Sequence, residues 1–73
     1  MDGPGRKVAE EAVEVLMAAK DDAVAEMSGR PDRDQEALAG EMADLVYHVL
    51  VLAAERGLAP SRVIEVLRER HAG

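Results

Sequence analysis

An all-α chain of three helices, closed into a bundle only when a second copy is added, is predicted by three features of the sequence. Apolar residues recur at helical spacing in three segments, with no competing strand pattern. Clusters of glycine and proline separate those segments. The chain has 73 residues, 48% of them apolar, yet holds no cysteine, phenylalanine or tryptophan and a single aromatic, Tyr47. Disulfides and thiolate metal sites are therefore excluded, and with them the staples common in very small domains. A chain this short buries only about 60% of its unfolded surface. With Val, Leu, Ala, Met and Ile as its only core material, a homodimer is the expected remedy.

Gly3, Pro4 and Gly5 cannot sustain a helix interior, so residues 1–5 are expected as a flexible leader and the first helix from about Arg6 to about Met27. Val8, Ala12, Val15, Leu16 and Ala19 form its apolar side. Ser28, Gly29, Arg30, Pro31 and Asp32 break the pattern. Asp32 or Asp34 can cap a second helix that runs through Leu38, Met42, Leu45, Val46, Val49, Leu50 and Leu52 to Arg56, where Gly57 suits a left-handed terminal residue. Pro60 fits the first turn of a third helix, which carries Val63, Ile64, Val66 and Leu67 and ends near His71. Residues 1–73 read as one domain, with no repeat, linker or low-complexity tract.

Fifteen acidic against nine basic residues give a formal charge of -6, which argues against nucleic acid or an anionic membrane as partner and favours a bound cation. No apolar run approaches the roughly 18 residues of a membrane span, and the first residues lack the apolar stretch of a signal peptide, so a cytoplasmic protein is expected.

The acids are not spread evenly. Lys7, Glu10, Glu11, Glu14 and Asp21 share an arc of about 100° on the first helix, opposite its apolar side. A solvated face with Lys7 paired to Glu10 and Glu11 would explain that arc alone. The second helix is apolar on nearly every side from residue 37 to 54 and is expected to be largely buried, yet Glu41, Asp44, His48 and Glu55 share a narrow polar stripe on it. Buried carboxylates require a counter-charge, and no lysine or arginine lies on that stripe. Either Glu41 and Asp44 are rim residues at a bundle edge, or the compensation comes from another element, another subunit or a metal. Glu11 and Glu14 repeat the same i, i+3 spacing. Antiparallel packing of the two stripes would converge four carboxylates, hard oxygen ligands suited to Mg²⁺ or Mn²⁺. With only His48 and His71, on different helices, an imidazole zinc site is not supported.

The runs Lys7-Val-Ala-Glu-Glu-Ala-Val-Glu-Val-Leu-Met-Ala-Ala-Lys20 and Glu41-Met-Ala-Asp-Leu-Val-Tyr-His-Val-Leu-Val-Leu-Ala-Ala-Glu-Arg-Gly-Leu58 resemble phosphoribosyl-ATP pyrophosphatase of histidine biosynthesis. That family belongs to the all-α, MazG-like nucleotide pyrophosphohydrolases. Their signature is E-x-x-E, a spacer and E-x-x-D. Glu11 and Glu14 match its first half and Glu41 and Asp44 its second, with 26 residues between. The Asp-Leu-x-Tyr-His-x-Leu-Val-Leu stretch is the more specific part and points to the phosphoribosyl-ATP branch. The resemblance covers about residues 6–71. It implies a MazG-like three-helix chain that completes its bundle by dimerisation, and Mg²⁺-dependent hydrolysis of phosphoribosyl-ATP to phosphoribosyl-AMP and pyrophosphate. Metal ligation then falls to Glu11, Glu14, Glu41 and Asp44, with Glu10 and Glu11 catalytic, Glu10 as a further ligand or the base that orients water. Lys7 becomes a phosphate contact. His48 becomes a contact to substrate or to a ligand carboxylate, unless it is a satisfied core histidine. Tyr47 lies about 100° from the acid stripe and reads as packing. Relatives usually carry another helix and a loop ahead of the segment matching Arg6. The connection from Ala23 to Gln35 is longer than in compact relatives; its Arg30 and Arg33 are either phosphate contacts or solvated loop charges, the latter favoured. The alternatives are a MazG-like nucleoside triphosphate pyrophosphohydrolase and a non-catalytic dimerisation module lacking the N-terminal segment.

Overall fold

A computed structural model describes residues 2–29 and 35–72. It holds three helices: α1 (Asp2–Met27), α2 (Gln35–Glu55) and α3 (Pro60–His71). The helix count and the absence of strands among the described residues match the all-α expectation. Arg30, Asp32, Arg33 and Asp34 lie outside the described residues, so the expected cap of α2 and the two loop arginines do as well.

The first helix begins at Asp2 rather than near Arg6, and residues 2–5 of the expected leader are helical; Met1 lies outside the described residues. The reason is local. Pro4 falls in the first turn, where no intrahelical partner awaits its missing N–H and its fixed φ already suits a helix. The other end follows the sequence: Gly29 adopts φ 65 and donates to the carbonyl of Glu26 at 3.0 Å. At the end of α2, Gly57 adopts φ 74, Leu58 donates to the carbonyl of Ala53 at 2.8 Å, and Gly57 donates to that of Ala54 at 3.0 Å. This paired closure satisfies two of the last carbonyls and turns the chain sharply into α3. Ala59 caps α3 without a side-chain hydrogen bond, and Pro60 opens its first turn. Arg68 and Arg70 occupy the last turn with His71, and the arginine charges interact favourably there with the helix dipole.

The helices α1 and α2 pack as a hairpin, whereas α3 touches α2 only near their shared turn and does not touch α1. Along α1 the shielded positions include Val8, Glu11, Val15, Ala18, Asp22 and Ala25; along α2 they include Leu38, Glu41, Leu45, His48 and Leu52. Both series advance by alternate steps of three and four, as in an antiparallel coiled coil. The seam runs along the border between the acid arc and the apolar side of α1. It draws Glu11 in between Val8 and Val15, and leaves Ala12 and Leu16, expected inside, exposed.

The expectation that α2 is largely buried fails within one chain: Val46 is 57% and Tyr47 63% exposed, and among the described residues only Ala25 and Ala53 are buried. A helix that meets one neighbour along one flank keeps its other flanks in water. The result is a plate of 45 × 34 × 14 Å with a radius of gyration of 15.1 Å, against about 11 Å for a compact chain of this length. At 100° per residue, antiparallel packing puts Ala12, Leu16, Ala19, Met42, Val46 and Val49 on one broad face of the hairpin and Glu10, Glu14, Asp44 and His48 toward the other. By length and composition α2, 21 residues long, is also apolar enough to cross a membrane, an 18-residue stretch of it reaching a mean hydropathy of 1.5, where the sequence reading finds no such run. Its polar residues are few and gathered on the stripe that meets α1.

Candidate metal centre

The i, i+3 spacing puts Glu11 and Glu14 on one side of α1, and the seam brings Glu41 of α2 opposite them. One carboxylate oxygen from each of the three lies within 4.8 Å of the others. Trans ligands of an octahedral Mg²⁺ stand roughly 4.2 Å apart, twice a bond of about 2.1 Å. Small rotamer adjustments therefore suffice to gather the three oxygens on one ion.

The electrostatics of the trio are unfavourable as long as no cation joins it. The side chain of Glu11 is only 13% exposed. Oε2 of Glu11 and Oε2 of Glu41 are both buried with no hydrogen-bond partner. Burial is the main cause that raises the Glu11 carboxyl above its ordinary value, followed by a hydrogen bond with Glu14 and the charges of Glu14 and Asp44; His48 opposes them. For Glu41 the largest cause is a hydrogen bond with Glu14, then burial, then the charges of Glu14, Glu11 and Asp44, all upward. Burial favours a proton on these carboxyls, and the neighbouring acids favour a proton or another positive charge between them; only His48 acts against this. Hard oxygens, shared geometry and two orphaned buried lone-pair groups together fit a hard divalent cation.

The remaining candidates arrange themselves around the trio. Asp44 is exposed and lies outside it, close enough that its charge is felt by both Glu11 and Glu41. Nε2 of His48 stands 3.9 Å from Oε1 of Glu11, the distance of an ion pair rather than of a hydrogen bond. Glu10 is not drawn into the trio; its Oε2 lies 3.7 Å from Nζ of Lys7, with both side chains about half exposed, 49% and 57%. Tyr47, read as packing, is exposed in this chain and meets the His48 ring edge-on, with centroids 5.1 Å apart and planes at 75°. A second feature escaped the sequence reading. An open groove of about 460 Å³ runs along α3, lined by Leu58, Val63, Val66 and Leu67, with Arg62, Arg70 and His71 around it. The available signal was a charge asymmetry: residues 56–73 hold four arginines and two glutamates, the rest of the chain five basic and thirteen acidic residues.

An all-α hairpin with three convergent carboxylates presents the donor set that suits a hard cation. The family described as phosphoribosyl-ATP pyrophosphohydrolase matches residues 2–71, and the chain belongs to that family. It is 51% identical over 65 residues to the phosphoribosyl-ATP pyrophosphatase of Pelotomaculum thermopropionicum, covering 89% of this chain and 55% of that protein. It is 47% identical to the histidine biosynthesis bifunctional protein HisIE of Halalkalibacterium halodurans, covering 90% of this chain and 26% of that protein. With HisIE of Bacillus subtilis the identity is 45%, over 92% of this chain and 27% of that protein. The chain thus spans about a quarter to a half of the length of these relatives. No solved structure matches it.

Proposed function

We propose that the chain hydrolyses the α–β phosphoanhydride bond of phosphoribosyl-ATP, releasing phosphoribosyl-AMP and pyrophosphate, as the names of its relatives suggest. The observation that carries this reading is the carboxylate trio with its two orphaned buried oxygens, in a chain of that family. Glu11, Glu14 and Glu41 would hold Mg²⁺, or Mn²⁺ in its place, with Asp44 completing the set. Such an ion supplies neutralisation of the phosphates and a lowered pKa for a bound water.

This chain's own groups do the rest. Glu10 stays solvated outside the metal set and is positioned to take the proton of the attacking water. Lys7, held beside Glu10, meets a phosphate. His48, 3.9 Å away, orients the Glu11 carboxylate. Two copies join through the apolar face that holds Leu16, Met42, Val46 and Val49, which turns the acid faces outward. The chain exposes 5587 Å², against roughly 4,400 Å² for a folded monomer of this mass. The excess exceeds the ~800 Å² that each partner contributes to a standard interface. The same pairing removes α2 from consideration as a membrane span, since its apolar flank is covered by protein, and fits a cytoplasmic enzyme that uses neither membrane nor nucleic acid.

Pyrophosphate release from phosphoribosyl-ATP in the presence of Mg²⁺ tests the activity. Release should fall to background in the Glu11→Gln, Glu14→Gln double variant; equal release by both proteins would refute the reading.

A further inference from the structure

A polyphosphate brings several negative charges to a place already held by Glu11, Glu14, Glu41 and Asp44. Among the described residues of the hairpin, the cation at that place is Lys7, and it is already engaged with Glu10. Arginines of this chain are concentrated instead on α3, beside an apolar groove, and α3 has no buried residue. Its groove therefore awaits a cover. The cover is not its own α1, which α3 does not touch.

The flank of α1 opposite the seam offers a matching surface. Val13, Met17 and Val24 are each more than half exposed and fall within an arc of about 40° on the helix. Glu10, Glu14 and Asp21 occupy the next ~40° of the same helix. An apolar strip with an acidic border thus corresponds to an apolar groove with arginines at its edge. The excess exposed surface is large enough for an arm contact in addition to a face-to-face one.

We propose that α3 is an arm exchanged between two copies: its groove seats on the outer flank of α1 of a second copy and sets Arg62 and Arg70 along the Glu10 and Glu14 border, where they bind the substrate phosphates. This rests on the pyrophosphohydrolase and dimer readings for its consequence, although not for its geometry. A guanidinium suits that task because it offers a planar fork of donors and stays charged throughout the working pH range. Arg62 is within 3.1 Å of Glu69 and 3.9 Å of Glu65 on the same exposed helix, contacts that a doubly charged phosphate group displaces readily.

Two experiments decide it. Because the chain contains no cysteine, Met17→Cys and Val66→Cys chains can be mixed and oxidised. A covalent dimer that forms only when both variants are present is expected, while an intrachain bond in the double variant, or no bond at all, overturns the arm. This readout needs no activity, so it separates failure of the arm from failure of the enzymatic reading. The second is subunit complementation. The double variant Arg62→Ala, Arg70→Ala should lose at least tenfold in kcat/KM, and Glu14→Gln should be inactive. Mixing them should restore about a quarter of the wild-type activity, because a mixed two-fold dimer has one site in which both contributions are intact. Full activity of the arginine variant, or a mixture no better than its parts, overturns the proposal. Absence of pyrophosphate release by the wild-type protein would refute the activity itself, and sedimentation as a monomer the dimer.

Discussion

The two broad faces of the α1–α2 hairpin differ in what each lacks. The acid face concentrates charge that one chain cannot neutralise, and the apolar face concentrates surface that one chain cannot cover. Both are carried by the same two helices, a few residues apart: Glu14 and Leu16 stand two apart, as do Asp44 and Val46, yet each pair divides between the faces. The hairpin is unfinished on both sides, and the two deficits call for different partners, a cation for one and protein for the other.

That comparison can be broken from either side. The largest effect is expected from Glu41→Leu, which removes one ligand from the trio and should lower pyrophosphate release by roughly 10³-fold. The same substitution removes a carboxylate crowded by Glu11, Glu14 and Asp44, one of whose oxygens is buried without a partner, so the cation-free protein should melt at a higher temperature than wild type. A variant that lost both activity and metal-free stability would show that Glu41 serves the fold instead.

On the other face, Val46→Asp should convert the dimer to a monomer in sedimentation and cost about 2–3 kcal/mol of stability, since it places an unpaired charge where a partner is expected. Unchanged sedimentation would move the interface elsewhere.

Next in size is the response to pH. The carboxyls of Glu11 and Glu41 are raised in the folded chain, so folding binds protons that the unfolded chain releases at the ordinary value of 4.5. Their contribution to stability is complete below that value and is lost as pH rises through the raised ones. The melting temperature of cation-free protein should accordingly fall as pH is raised from about 4.5 into the neutral range, and saturating Mg²⁺ should flatten the profile. A cation-insensitive profile would separate the trio from metal binding. The smallest effect is expected at a neutral point of the fold: Gly57→Ala forces a side chain into φ 74 and should cost about 1 kcal/mol without altering activity per folded molecule.

Much of this architecture is legible along the chain. Pro60, Gly29 and Gly57 mark helix ends by backbone chemistry that depends on little beyond their neighbours. The convergence of Glu11, Glu14 and Glu41 follows from i, i+3 spacing once the two helices lie antiparallel. The start of α1 misleads because Pro4 is punished inside a helix but tolerated in its first turn. The seam misleads for another reason: a wheel separates Glu11 from the apolar side by angle, whereas packing chooses the border between arcs and draws both into contact. The exposure of α2 was illegible because an apolar helix reads the same whether its covering neighbour belongs to its own chain or to another. The arginines of α3 have no role legible along the chain, because the proposed one depends on the acids of a different helix in a second copy.

One dimension of the molecule has a dynamic consequence. A plate 14 Å thick is a single layer of helices, with no interior amide more than one side chain from water. Slow hydrogen exchange in such a chain reflects the energy needed to open its helices, to which a second copy across the apolar face would add. Amide protection along α2 is therefore expected to rise with protein concentration, so that an exchange rate, usually a property of the fold, becomes here a measure of assembly.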